Sequence, residues 1–232
     1  MNVAIACFVK TPGLSPIKTR LAASIGASAA EAVYLACVEC MRSALKAAAR
    51  SKQGALEITP YWCVAEAEGM QRELWQDFDC LLQNGSGLGE RLQAAFTALH
   101  QSFDAVLLIG ADCPFLSTER LLAAARRTLE APGYVLGPTD DGGYYLFGSR
   151  HEVAAPAWLD VPYSAPNTAE VFTRLLAQTC SVEQLEPLFD IDTEGDLLRC
   201  RTQLALTNHP NAEFFAGLQK LSIDVESRTH NT

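Results

Sequence analysis

The chain has 232 residues, 49% of them hydrophobic and 19% charged, which gives enough apolar mass for a sizeable core and excludes a disordered chain. A net charge of −9 argues against a nucleic-acid partner, because an acidic surface repels the phosphate backbone. No apolar run reaches membrane-spanning length, and the short apolar start lacks the basic flank of a signal peptide, so a cytoplasmic, reducing setting is expected.

In chain order, residues 3–9 predict a strand ended by Lys10-Thr11-Pro12-Gly13, and residues 18–25 a short helix. Residues 27–52 predict a long helix with Val33, Leu35, Val38, Met41 and Leu45 on its core face. Cys37 and Cys40 lie mid-helix, with no second pair at zinc spacing, and read as buried thiols. A strand over 55–64, a helix over 66–76 and a short strand over 80–83 follow. Asn84-Gly85-Ser86-Gly87 then leads into a helix over 88–101. Residues 105–109 are apolar throughout, the pattern of a strand buried on both faces. Ser117 is the expected N-cap of a helix over 118–129. Strands over 134–137, 143–147 and 181–185 and helices over 167–178, 194–206 and 210–221 complete the reading. A polar tail over 222–232 is expected to be disordered. Alternating strands and helices predict a single α/β domain over 1–221: three layers, with a mostly parallel sheet and helices on both faces. In such sheets ligands bind beyond the carboxyl ends of the strands.

The residues with chemical potential fall at those ends. Lys10, Lys18 and Arg20 are the first charges in the chain, and no acid precedes Glu31. Even spreading of the acids would put about three or four there. Gly13 and the prolines shape the loop, and the three cations with a helix N-terminus suit one anion such as a diphosphate. The Walker A pattern is absent. Gly87, Gly89 and Arg91 form a second candidate phosphate-binding passage, with a plain Gly-rich turn as the alternative. Asp112 closes the buried strand, where a carboxylate needs a partner; a hard Mg²⁺ or Mn²⁺ ion suits it, and turn or helix capping is the alternative. Asp140 and Asp141, with Gly142 and Gly143, suit metal, sugar hydroxyls or a hairpin turn, and Asp141 is a candidate base. Either Asp190 or Asp192 is a possible second metal ligand, with Asp192 equally suited to cap the next helix. His100, His151, His209 and His230 share no ligand spacing. Ser86 and Ser164 lack a nucleophile elbow. Trp62, Trp75 and Trp158 read as core or rim residues.

Phe8-Val9-Lys10-Thr11-Pro12-Gly13, Lys18-Thr19-Arg20-Leu21-Ala22, Gly87-Leu88-Gly89-Glu90-Arg91, Ile109-Gly110-Ala111-Asp112-Cys113-Pro114, the run from Gly137 to Tyr145 and Asp190-Ile191-Asp192-Thr193 occur in that order. The ordered set resembles the DUF2064 family of glycosyltransferase-like proteins, often named radical-SAM/selenodomain-associated transferases, of the nucleotide-diphospho-sugar transferase (GT-A) superfamily. The resemblance covers residues 1–205 and implies a Rossmann-like GT-A fold. It implies phosphate contacts from Lys10, Lys18 and Arg20, and a metal held by Asp112 in place of a DxD aspartate. Ala111-Asp112-Cys113 offers one carboxylate where that motif has two, so a second ligand must come from elsewhere, such as Asp141, Asp190 or Asp192, or from water and phosphate; Asp192 is taken here. Val161-Pro162-Tyr163-Ser164-Ala165-Pro166 stands where members usually show Trp-Ser-Thr. The Lys-Thr-Arg-Leu segment is also similar to guanylyltransferases of the phospholactate type.

Three functions follow. The first is metal-dependent transfer of a sugar from a nucleotide sugar to a small-molecule acceptor the sequence does not specify. The second is nucleotidyl transfer from a nucleoside triphosphate to a phosphorylated acceptor. The third is non-catalytic nucleotide binding, which needs no metal.

Overall fold

The computed structural model describes residues 1–51, 54–207, 209 and 211–216. The expected polar tail and the end of the last helix lie outside the described residues. Seven strands form one sheet: β1 (Asn2–Val9), β2 (Glu57–Val64), β3 (Asp79–Leu82), β4 (Ala105–Gly110), β5 (Tyr134–Pro138), β6 (Tyr144–Ser149) and β7 (Val182–Gln184). Their order is β3-β2-β1-β4-β6-β5-β7, and only β6 runs antiparallel to its neighbours. The helices are α1 (Thr19–Ile25), α2 (Ala27–Arg50), α3 (Leu88–His100), α4 (Thr118–Glu130), α5 (Ala155–Leu159), α6 (Thr168–Leu176), α7 (Glu194–Thr207) and α8 (Ala212–Ala216).

The alternation of side chains along β1 builds the layers. Val3, Ile5, Cys7 and Val9 enter one core with α2 and α4; Ala4 and Ala6 enter another with α3, α5 and α6. β4 does the same, with Leu107 and Ile109 on the first face and Val106 and Leu108 on the second. Each fully buried leucine contributes about 1.5–3 kcal/mol over an exposed one. Trp62, Trp75 and Trp158 are core residues with no exposed surface. Cys37 and Cys40 are buried free thiols on α2. Among the described residues, no helix is long and apolar enough to cross a membrane.

Two local expectations are corrected. Residues 66–76 form two short 3₁₀ turns, Ala67–Gln71 and Glu73–Trp75, not one helix. The segment wraps beneath the first loop: Thr11 N–H donates to Glu66 (2.8 Å), Trp75 Nε1 donates to Thr11 Oγ1 (3.0 Å), and a Cβ on Gly69 would stand 2.1 Å from that same oxygen. Tertiary contacts there override helical pattern. The short α5 has no counterpart in the sequence reading; its five residues carry a proline in the first turn and are too few for a periodic signal. The Ser117 cap is present, with its Oγ accepting from Arg120 N–H at 3.4 Å.

The strand order reverses between β1 and β4, adjacent parallel strands whose chains leave toward opposite edges of the sheet. Such a switch point opens a crevice at the carboxyl ends. The loop after β1 and the turn after β4 meet there.

Candidate functional site

Lys18 is the centre of that meeting. It stands at the N-cap of α1 in the left-handed region (φ 43°), a conformation costing a non-glycine residue about 1–3 kcal/mol. Its side chain is only 3% exposed, and its ammonium lies 2.7 Å from Asp112 Oδ1 and 3.5 Å from Asp192 Oδ1. It also donates to the Ile191 carbonyl at 2.5 Å. Burial alone would pull the Lys18 pKa down; Asp112, Cys37 and Asp192 together outweigh it, so the ammonium is held above its ordinary range. Ile191 N–H donates in turn to the Asp112 carbonyl at 3.2 Å. The backbone of residue 191 is thus fastened between the end of β4 and the start of α1.

The flanking carboxylates differ. Asp192 pairs with Arg20 as well as Lys18. The cap of α7 is Thr193, whose backbone and hydroxyl bond Asp196 (2.8 and 2.7 Å), so Asp192 is not needed as that cap. Asp190 has no ion pair among the described residues. Burial raises its pKa to about 8, with Asp112, Asp192 and Asp141 adding to the effect and Lys18 opposing it. Asp112 Oδ1 is buried, with the Lys18 ammonium as its partner.

Around this cluster the cleft has two connected lobes sharing Phe8, Arg20, Leu88, Asp112, Ser164 and Asp192. One, of about 470 Å³, is bounded by the first loop, with Lys10, Lys18, Tyr34 and Gln83. Tyr34 Oη pins the loop by accepting from Lys10 N–H and donating to its carbonyl, both at 2.8 Å. The Gln83 amide donates to the carbonyls of Val9 (3.1 Å) and Cys63 (2.7 Å), which leaves its own oxygen as the group available to a ligand. Sequence reading singles out neither Tyr34 nor Gln83; the position of Gln83 just past β3 is the one available signal. The other lobe, of about 700 Å³, is bounded by Asp141, Gly143, Tyr144, Tyr145, Tyr163 and Asp190 beyond the shared residues. Burial raises the pKa of Tyr145 and Tyr163 to about 12, so both stay neutral.

The remaining candidates separate. Asp141 faces the larger lobe, its Oδ1 fixed by Thr139 Oγ1 (2.6 Å) and Gly143 N–H (3.1 Å). Asp140 points elsewhere, pairing with Arg199 (2.7 Å) beside a different cavity. Gly142, at φ 89°, approaches the chain's own backbone: a Cβ there would sit 1.8 Å from the Pro166 carbonyl. Gly89 packs α3 on α5, where a Cβ would meet the Trp158 carbonyl at 2.3 Å. Gly87 is the N-cap of α3, its loop closed by Glu90, which accepts from Ser86 and Gly87. Arg91 donates to the Gly85 carbonyl at 3.0 Å and lines neither lobe. Gly13 turns the first loop at φ 80° with open space around it, and Lys10 is exposed, its Nζ 3.3 Å from the Pro16 carbonyl. The structure therefore gathers Lys10, Lys18, Arg20, Asp112, Asp141, Asp190 and Asp192 at one cleft. Arg91, Asp140, Gly142 and Gly89 serve contacts within the protein.

Comparison with solved structures shows the same fold elsewhere. A protein of Desulfovibrio desulfuricans G20, provisionally named a nucleotide-diphospho-sugar transferase, superposes with a TM-score of 0.78 at 23% identity, covering 94% of this chain and 96% of that one. The 4-diphosphocytidyl-2C-methyl-D-erythritol synthase of Anaerococcus prevotii DSM 20548 gives 0.55 at 13% identity over 88% and 98% of the two chains. A nucleotidyl transferase of Methanothermobacter thermautotrophicus gives 0.55 at 18% identity over the same 88% and 98%. The chain thus has the α/β fold of nucleotide-using transferases. No curated protein matches the sequence. The family model described as "Uncharacterized protein conserved in bacteria (DUF2064)" matches residues 33–165, more than half of the chain, and the protein belongs to that family.

Proposed function

We propose that the protein is a glycosyltransferase that binds a nucleotide diphosphate sugar together with Mg²⁺ or Mn²⁺ and passes the sugar to a hydroxyl acceptor. The observation that carries this reading is the two-lobed cleft, with cations at the end of β1 and carboxylates at the end of β4 meeting at Lys18 and Asp112. Lys10 and Arg20 are assigned to the diphosphate. Lys18 also serves it, by ordering Asp112 and Asp192. Gln83 offers its oxygen to an N–H of the base. Gly13 allows the loop its turn.

The residues fit a divalent cation: Asp112 and Asp190 line the same lobe, and Asp190 has no ion pair among the described residues. Among the described residues no three potential ligands stand close enough to hold an ion by themselves, so two carboxylates with phosphate oxygens and water would form the shell. Asp192 already has two cations, which makes Asp190 better suited than Asp192 as the partner of Asp112. When bound, the ion offsets charge on the departing diphosphate.

In the transfer, an acceptor oxygen forms a bond to the anomeric carbon while the bond from that carbon to the diphosphate oxygen breaks, and the diphosphate keeps the electron pair. Arg20 and Lys10 stabilise that developing charge. The acceptor proton passes to Asp141, whose orientation is set by Thr139 and Gly143. Tyr144 and Tyr163, both partly exposed, line the lobe where a sugar ring would lie.

The test is a thermal-shift screen of nucleotide sugars and nucleoside triphosphates with Mn²⁺, followed by product analysis. A ligand at 100 times its Kd adds about 2.7 kcal/mol of stability. Stabilisation by a nucleotide sugar, with release of nucleoside diphosphate, is expected. Stabilisation by triphosphates alone, with pyrophosphate released, establishes nucleotidyl transfer instead.

A further inference from the structure

The larger lobe carries a second message, which rests on the transfer reading above and specifies its acceptor. We infer that the acceptor is a hydroxyl compound bearing neither phosphate nor carboxylate, and that an amine on it strengthens binding. Three carboxylates border this lobe, Asp112, Asp141 and Asp192, with Asp190 as a fourth, more deeply buried acid. Arg20 is the one basic residue among its lining, and Arg20 is already paired with Asp192. Lys18 lies behind, 3% exposed and committed to Asp112 and Asp192. Lys10 opens onto the other lobe. An anionic acceptor would meet acidic walls with no uncommitted cation among the described lining residues. Its desolvation would go uncompensated.

The rest of the lining agrees. Tyr144 lines the cavity, and its buried Oη faces the hydroxyl of Tyr163. Leu88, Leu92, Leu108, Ala165 and Pro166 supply an apolar surface. A donor diphosphate and a divalent cation roughly cancel each other, so their arrival does not turn the lobe positive. An ammonium group is attracted both by the carboxylates and by the aromatic faces.

The lobe's potential is measurable without knowing the acceptor. Ala165 lines it, and its side chain makes no hydrogen bond, so Ala165→Cys places a thiol there with little disturbance. The unmodified protein sets the background, since six native thiols are buried and Cys80 and Cys180 partly so. The introduced thiol should react with a trimethylammonium-ethyl thiosulfonate at least tenfold faster than with the sulfonatoethyl reagent, after correction for their intrinsic rates. Ser102→Cys, on an exposed turn, should show a smaller preference, and adding Asp141→Asn should lower the ratio at position 165 severalfold. D-glucosamine should protect the thiol at position 165 better than D-glucose 6-phosphate at equal concentration. Equal rates, a faster anionic reagent or better protection by glucose 6-phosphate overturns the inference. If Ala165→Cys does not fold, Pro166→Cys, exposed and lining this lobe but not the other, carries the same measurement. No nucleotide, metal or turnover enters the readout, so its failure and the failure of the transfer reading are separate results.

Discussion

The two lobes of the cleft are built in opposite ways. The smaller lobe, assigned here to the donor, takes its cations from one contiguous stretch, Lys10 to Arg20, which contains no acid. The larger lobe, assigned to the acceptor, collects its carboxylates from three distant places: the end of β4, the turn before β6 and the segment before α7. At the border, Lys18 and Arg20 of the first set bind Asp112 and Asp192 of the second. On the proposed reading, opposite charges that hold each other in the free protein would be positioned in advance for a ligand carrying both a diphosphate and a sugar. The lobe of cations suits the leaving group, and the lobe of acids suits the nucleophile and its proton.

This contrast can be broken at several points. The largest effect is expected at Asp141, where Asp141→Asn should lower the transfer rate by roughly 10²–10⁴ and leave nucleotide affinity within twofold, read by steady-state kinetics beside calorimetry. Loss of nucleotide binding in that variant would move Asp141 to the donor lobe. Next, Asp112→Ala should destabilise the protein by about 2–4 kcal/mol in urea unfolding, because it leaves the buried ammonium of Lys18 with only the more distant carboxylate of Asp192. Lys18→Ala should cost less, since Asp112 is 40% exposed and can turn to water. The reverse order would contradict the burial of the lysine.

Gly142→Ala sharpens the division between binding and packing. It should cost about 1–3 kcal/mol of stability through its positive φ and its contact with Pro166, without a specific effect on nucleotide affinity. The pH dependence is gentler. Asp190 has its pKa raised from 3.8 to about 8 in the folded state, so the folded chain binds more protons there than the unfolded chain does. The metal-free protein should therefore lose stability as pH rises from about 4 to about 8, and Asp190→Asn should flatten that part of the curve. Smallest of all is Arg91→Ala, expected to change stability by less than about 0.5 kcal/mol and to leave nucleotide affinity unaltered.

The sequence is most informative where structure and chemistry are local. β1, β4 and the cations between them follow from apolar runs and charge spacing along short segments, and Asp112 from its place at the end of β4. Gly89, Arg91, Asp140 and Gly142 group with the site in sequence because they neighbour its motifs. Their partners are Trp158, Gly85, Arg199 and Pro166, three of them remote, and motif spacing carries no trace of those contacts. Asp190 and Asp192 are equivalent as a two-residue spacing. Lys18 and Arg20, arriving from the other end of the chain, separate them by engaging Asp192, while Asp190 has no ion pair among the described residues. The turns at 67–75 escape for the same reason, shaped as they are by Thr11.

The central claim is that diphosphate and divalent cation are bound together where the cations meet Asp112. Calorimetric titration of a panel of nucleoside diphosphates and nucleotide sugars, with Mn²⁺ and then with EDTA, tests it most directly in the unmodified protein and in Asp112→Asn. The account predicts at least a tenfold loss of affinity with EDTA for the preferred nucleotide, and no further loss with EDTA in the variant. Equal affinity in all four conditions would contradict it and leave a nucleotide-binding protein without metal chemistry.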